Sequence, residues 1–544
     1  MHIKQISSLE KITKNLDYPE IKDIRAFRGE SLSYQIGVSL DRYAALDVEL
    51  RSELSQYIKL YKIKSVPCDV PYTEATVDDN YLTKEPALIP DVLVPIEDEC
   101  NVLAVIASVP VSLWVDINLP KDIPAGKYEI LIRFTHNMTI PEVTTNIYEK
   151  RMTLEVLDKS LPEQTMPYTR WLHTDCIADA HNVEIHSEEH WKLIEDYIRA
   201  ASEIGVNMIL VPVHTPPLDT DVGVRRPNVG LVDIEKRGDK YTFGFEKFKR
   251  FIDICKKYGI KYYEIAHMFS QGYSKFAPNI MVSENGKRDY MFGWHVRGDD
   301  PRYENFVPQY VSAIAAEVEK EGIAEQTYFH ICDEPRLTVI ENYRKAHKLI
   351  RPNIGRCKTF DALSDYEFCD EGLVEIPVTL ISELEKFLEN KLSDQWIYYA
   401  CVPQKDYINS HLAMSLSRVR MLGLLLYKYD IKGFLHWGLN FYYSPSSKYA
   451  INPYLTTSVD HRYPSGDAFV LYPQKNGIYH SMRGKVTMDA MEDISLCKLL
   501  EEKIGRDAVV KLIDEGAGMD IYFNRFPESA EFFTRIREKM ISML

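Results

Sequence analysis

The spacing of apolar residues divides the chain in two. Over residues 1–162, short runs alternate apolar and polar positions, and nothing between them keeps a helical period. Runs at 31–38, 44–50, 58–66, 102–107, 111–117, 127–134 and 148–157 read as strands. Turn residues such as Pro120-Lys-Asp-Ile-Pro-Ala-Gly126 separate them. Many short strands with no helices between them predict a β-sandwich. From 163 to 544 the pattern changes to strands alternating with amphipathic helices. Eight strands are predicted, at 168–173, 207–212, 261–267, 327–332, 357–361, 372–376, 396–402 and 433–437. Helical periods fill 187–204, 245–258, 303–321, 337–350, 380–390 and 410–429. Ser187 followed by Glu188, Glu189 and His190 is a helix start, and Lys256-Lys257-Tyr258-Gly259 a helix end. Eight βα units in order predict a (β/α)8 barrel, so the fold class is α/β, a TIM-type barrel behind an N-terminal sandwich.

Three connections, 215–242, 269–301 and 441–486, are too long for plain loops and are expected to shape or cover a pocket. Residues 240–244 would form one arm of a hairpin lid. Helical periods at 488–503, 506–514 and 529–543 are expected to close the barrel rather than make a third domain.

The chemistry concentrates in Thr327-Tyr-Phe-His-Ile-Cys-Asp-Glu-Pro335. A brief apolar strand ends in two carboxylates, and Pro335 cannot continue the ladder. The C-terminal end of a barrel strand is where catalytic groups sit. Side chains alternate along a strand, but at a frayed end both acids can lean into one pocket. Like charges held close raise one proton affinity, leaving one acid protonated and the other ionised. That division of labour suits glycoside chemistry. The plainer alternative is an exposed Asp-Glu pair with Asp333 capping the following helix.

Other polar and aromatic residues fall at predicted strand ends: His173 and Asp175, His214, His267, Asp361, Tyr398 and Tyr399, Trp437 and Asn440. Strand alternation lets only one of the two tyrosines face a pocket. No His-x-His or His-Glu-x-x-His spacing occurs, so neither a metal nor a cofactor is expected.

Composition narrows the partners. The net charge of −15 argues against nucleic acid and anionic membrane surfaces. Apolar residues at 45% and aromatic residues at 11% suffice for packed cores, and 35 tyrosines are compatible with sugar binding. Nine cysteines, an odd number without CxxC spacing, fit a reducing compartment. The first residues lack the basic head and apolar run of a signal peptide, and the longest apolar tract, 421–427, is too short to span a membrane. A cytoplasmic protein is the expectation.

The stretch Phe329-His-Ile-Cys-Asp-Glu-Pro resembles the catalytic strand of glycoside hydrolase family 123 and of the wider group that contains it. The resemblance extends to Trp171-Leu-His-Thr-Asp-Cys-Ile-Ala, Gly433-Phe-Leu-His-Trp-Gly-Leu-Asn-Phe-Tyr-Tyr and Gly466-Asp-Ala-Phe-Val-Leu-Tyr-Pro. Arg28-Gly-Glu and Pro124-Ala-Gly-Lys-Tyr resemble the sandwich that precedes the barrel in that family. One segment departs: similar proteins carry Arg-Asp-Gly-x-Glu-Asp at a helix start, and this chain has Met488-Asp-Ala-Met-Glu-Asp493.

The resemblance implies removal of β-linked N-acetylgalactosamine by substrate-assisted retaining hydrolysis, through an oxazolinium intermediate. It makes Asp333 the group that orients the acetamido N–H, and Glu334 the general acid and base. Trp437 would form a floor under the sugar, and Tyr398 would bond the acetamido carbonyl. Asn440 and His173 would hold hydroxyls, unless they brace loops. The expected partner is a glycan or oligosaccharide. A glycosidase of another sugar specificity and a noncatalytic carbohydrate-binding barrel are the competing readings, since an Asp-Glu pair does not itself select a sugar.

Overall fold

The computed structural model describes residues 2–136, 147–271, 274–475 and 477–544. Two β-sheets face each other over an apolar core in the N-terminal part. Tyr34, Ile36, Leu113 and Val115 of one sheet meet Leu46, Ile130, Ile132 and Leu154 of the other. Period-2 burial along Ala44–Arg51, with Ala44, Leu46 and Val48 inside and Asp47 and Glu49 outside, is the alternation that predicted the strand. All seven expected strands form. Three more were missed: His2–Ser7, Asp23–Arg28 and Ala87–Pro95. The first two carry too many polar residues to alternate cleanly, and the third contains Pro90, a residue that strand interiors disfavour. Pro90 lies at a register shift, where Lys64 pairs with Val92 and Ser65 with Pro90. The skipped residue is Asp91, whose side chain the bulge sends into the interior.

The larger sheet is completed by a distant hairpin. Gly477–Ser481 pairs antiparallel with Ala87–Pro95, and Leu471–Gln474 forms the outermost strand. A division at residue 162 therefore does not separate the sheets cleanly, because part of the 441–486 insertion belongs to the front sheet.

The barrel strands are Tyr168–Arg170, Met208–Val211, Tyr262–Ile265, Thr327–Phe329, Lys358–Leu363, Ile376–Leu380, Trp396–Tyr398 and Gly433–His436. They are parallel, and pairing of the first with the eighth, Thr169 opposite Leu435, closes the ring. The sixth lies four residues later than expected. Pro377 hid it, and the apolar pair Leu373-Val374 drew the reading toward the loop. Ser187 caps Glu188–Ser202, its side chain accepting from the His190 backbone N–H. A short helix, Thr174–His181, follows the first strand and was not anticipated.

The first two long insertions build a four-stranded sheet from Asp233–Arg237, Lys240–Gly244, Ile280–Glu284 and Lys287–Phe292. Residues 272–273 of the second insertion lie outside the described residues. The expected hairpin arm exists, but Tyr241 and Phe243 pack on Phe306 and Tyr310 of helix Pro301–Lys320. It covers the barrel wall and lines no part of the pocket described below, so it is not a lid.

Helix Met482–Ile504 packs between helix Leu416–Lys428 and the sandwich. A Cβ on Gly423 would lie 1.9 Å from the Ala490 carbonyl oxygen, so only glycine permits this approach. Lys485 Nζ reaches Asp116 at 3.1 Å, Glu492 accepts from the Ser31 N–H at 2.9 Å, and Asp493 takes Arg420 through two bonds of 2.8 and 3.0 Å. Of the acids in the departing segment, Glu492 thus ties the helix to the sandwich, and Asp493 ties it to helix Leu416–Lys428. Strand pairing closes the barrel, and this helix joins barrel to sandwich.

Candidate active site

A pocket of about 580 Å³, counted with its open mouth, lies at the C-terminal ends of the barrel strands. Asp333 and Glu334 both line it, as do Tyr398 and Trp437. Adjacent strand residues would face opposite ways. Here Glu334 adopts φ 46°, a left-handed conformation that costs a non-glycine residue roughly 1–3 kcal/mol and so requires support from its surroundings. The support is local. The Glu334 N–H donates to the Ala362 carbonyl at 3.1 Å, and the Tyr398 hydroxyl donates to Glu334 Oε1 at 2.6 Å.

Asp333 is only 5% exposed and accepts from Gln271 Nε2 at 2.9 Å. Burial pushes its proton affinity well up, and the neighbouring Glu334 charge adds to the push. The ionised form of Asp333 is thus disfavoured beside Glu334. Tyr399, next to Tyr398, points away from the pocket and packs on Phe434 and His436, which resolves the choice between the tyrosines.

A buried network underlies the pair. Trp171, which lines the pocket, donates through Nε1 to Glu264 Oε2 at 2.8 Å. His330 bridges Glu264 and Asp361 with 3.0 Å contacts from its two ring nitrogens. Asp361 in turn accepts the Ile331 N–H at 3.1 Å and the Tyr343 hydroxyl at 2.6 Å. Burial alone would lower the His330 proton affinity, but its bonds to Asp361 and Glu264 outweigh that and push it up to about 9. The raised affinity favours the imidazolium form of His330 between Glu264 and Asp361, and Asp361 fixes the backbone leading into Asp333.

His267 stacks on His330 with ring centroids 3.9 Å apart. His267, His330 and Asp361 offer ligand atoms within 4.8 Å of one another. Both His330 nitrogens are already engaged with carboxylates, however, so the group is an ion-pair network by its contacts.

Trp437 is also held from behind. Its Nε1 donates to Asp467 Oδ2 at 2.9 Å, and its carbonyl accepts from His173 Nε2 at 3.1 Å. Arg226 donates to His173 Nδ1 at 3.1 Å, which leaves the ring proton on Nε2. Burial, reinforced by the Arg226 charge, lowers the His173 proton affinity to about 3, so the ring is neutral. Asn440 accepts from the His173 N–H at 2.9 Å and donates to its carbonyl at 3.0 Å. His173 and Asn440, expected as hydroxyl ligands, line no part of the pocket; Asn440 bonds the His173 backbone, and the His173 ring is held by Trp437 and Arg226. They brace the platform. Asp175 pairs with Arg226 at 2.6 Å, and the His214 Nε2 lies 2.9 Å from the His267 carbonyl, so these rim residues are structural too.

Sequence reasoning missed Gln271, Asp219 and Tyr463, all pocket-lining residues on long insertions. Their only sequence signal was position in a connection after a strand end. Asp467 was visible in the Gly466-Asp motif but had no assigned partner.

The model of the glycoside hydrolase 123 catalytic domain matches residues 171–500. Among solved structures, the fold is similar to a family 123 glycoside hydrolase from Clostridium perfringens, described for glycolipid glycan hydrolysis. The TM-score is 0.73 at 16% identity, covering 99% of this chain and 98% of the other. A family 5 glycoside hydrolase from Bacteroides vulgatus aligns more loosely, with a TM-score of 0.31 at 12% identity over 56% of this chain and 63% of that one. No curated sequence matches the chain at a significant level. The match over residues 171–500 takes in seven of the eight barrel strands, with the acid pair inside it: the chain belongs to glycoside hydrolase family 123.

Proposed function

We propose that the chain removes terminal β-linked N-acetylgalactosamine with retention of configuration, using the sugar's own 2-acetamido group as nucleophile. The observation that carries this reading is the adjacent Asp333 and Glu334 in one pocket, with Gln271 bonded to the first carboxyl group and Tyr398 to the second. In the reactive state Glu334 carries a proton and delivers it to the glycosidic oxygen as the C1–O bond breaks. The acetamido carbonyl oxygen bonds to C1 and closes an oxazolinium ring. Asp333, ionised, accepts the acetamido N–H and balances its positive charge. Glu334 then takes a proton from the water that reopens the ring at C1. Tyr398 sits beside Glu334, where its hydroxyl can steady the acetamido oxygen. Trp437 offers an aromatic face to the sugar.

The test is a panel of aryl β-glycosides with and without the 2-acetamido group, in galacto and gluco configurations. Cleavage is expected only of the acetamido sugars, galacto above gluco. Glu334→Gln should lower kcat by roughly 10²- to 10⁴-fold, the usual worth of a general acid. Turnover of plain galactosides would make the enzyme a glycosidase of another specificity. Sugar binding without any turnover would make it a binding protein.

A further inference from the structure

Asp219 is a third carboxylate lining the same pocket, and no step above uses it. Its backbone lies at φ 43°, again left-handed for a non-glycine residue. Such a conformation persists only where the surroundings over-determine it. Here two other insertions converge to do so. Gln271 accepts from the Asp219 N–H at 3.0 Å, and Ser447 Oγ donates to the Asp219 carbonyl at 2.7 Å. The Tyr463 hydroxyl donates to Oδ1 at 3.1 Å, and the Ser446 N–H to Oδ2 at 3.2 Å. One amide, that of Gln271, lies between Asp219 and Asp333 and bonds to both.

A carboxylate has about four acceptor positions, and each oxygen of Asp219 uses one. Leu218, Ala362, Ala400 and Leu435, which line the same pocket, offer no side-chain donors. Burial raises the Asp219 proton affinity, against the two bonds it receives. Donors arriving with a ligand would relieve that cost, and a pyranoside presents hydroxyls. With C1 and C2 of the ring engaged by Glu334 and Asp333, the hydroxyls left are those of C3, C4 and C6.

We propose that Asp219 is the specificity-determining ligand of the sugar ring, accepting hydrogen bonds from one or two of the C3, C4 and C6 hydroxyls. This rests on the reading above that the pocket takes a hexopyranoside.

The test is a cycle of kcat/KM values for wild type and Asp219→Asn. Its substrates are an aryl 2-acetamido-2-deoxy-β-galactoside and the 3-, 4- and 6-deoxy analogues. Asp219→Asn should cost roughly 10- to 100-fold on the parent, as for a hydrogen bond to a charged group. Deoxygenation at the contacted position should cost wild type a similar factor and the variant about threefold or less. Losses that multiply independently at all three positions would overturn the proposal and leave Asp219 as a loop brace. If Asp219→Asn does not fold, Tyr463→Phe carries the same cycle with a smaller coupling, because it removes one donor and keeps the loop tied. If wild type cleaves only plain hexosides, the acetamido reading fails, and the cycle is run on deoxy analogues of the hexoside that is cleaved.

Discussion

Asp333 has its proton affinity raised by burial first and by Glu334 second. An acid whose folded affinity exceeds its unfolded value costs the fold stability as pH rises through the interval between them. Asp333→Asn should therefore remove activity and stabilise the protein, by about 1 kcal/mol at neutral pH. The gain should shrink as pH falls toward the ordinary carboxylate range. Urea unfolding at several pH values would check this, and an Asn variant less stable than wild type at neutral pH would contradict it. The same residue shows what the sequence made legible. Asp333 and Glu334 stood out because they end an apolar barrel strand, where catalytic groups sit, although a helix-capping role was the plainer alternative. Alternation showed that only one of Tyr398 and Tyr399 could face the pocket, and the family resemblance, not the alternation, pointed to Tyr398. Asp219 and Gln271 were not legible, because their places depend on loops that meet only in three dimensions. His173 and Asn440 were read at the correct strand ends, but burial turned them toward Trp437 and each other.

At the level of elements, the third, fourth and fifth barrel strands are tied through Glu264, His330 and Asp361. The His330 affinity is raised to about 9 from an ordinary value near 6.5. A raised histidine contributes stability that is fully present below the unfolded value and lost as pH rises through the folded one. Wild-type stability should thus fall between about pH 6.5 and 9, while His330→Gln, less stable throughout, should lack that slope. Denaturant midpoints across this range decide the matter, and parallel slopes would dismiss the imidazolium.

A second tie crosses domains. Asp91, at the sandwich bulge, accepts from Arg483 Nη2 at 2.8 Å with both side chains fully buried. Arg483 also donates to the carbonyls of Gly466 and Phe469, on either side of Asp467. Asp91→Ala would strand a buried guanidinium and should cost about 3–5 kcal/mol. It should also loosen Asp467 and Trp437, so KM should rise in whatever protein remains folded. A stability loss under about 1 kcal/mol would show that the pair is not holding the domains. The sandwich strands and barrel helices were legible because their burial follows one period. The bulged strand and the sixth barrel strand were hidden by prolines that tertiary pairing tolerates.

For the whole molecule, the arrangement puts a rigid frame around a small acid pair. The barrel presents the strand ends, and the sandwich and helix Met482–Ile504 fix the loop behind Trp437. Insertions after the second, third and eighth strands supply the remaining wall. The claim this frame serves is that the substrate's acetamido oxygen, rather than a protein carboxylate, attacks the anomeric carbon. Its most direct measurement is kcat/KM for aryl 2-acetamido-2-deoxy-β-galactosides in which the acetyl methyl carries zero, one, two or three fluorines. Each fluorine makes the carbonyl oxygen a poorer nucleophile while changing the shape little. The expected result is a steep, steady fall in rate along the series, whereas a rate independent of fluorine number would mean that the acetamido group takes no part in bond making.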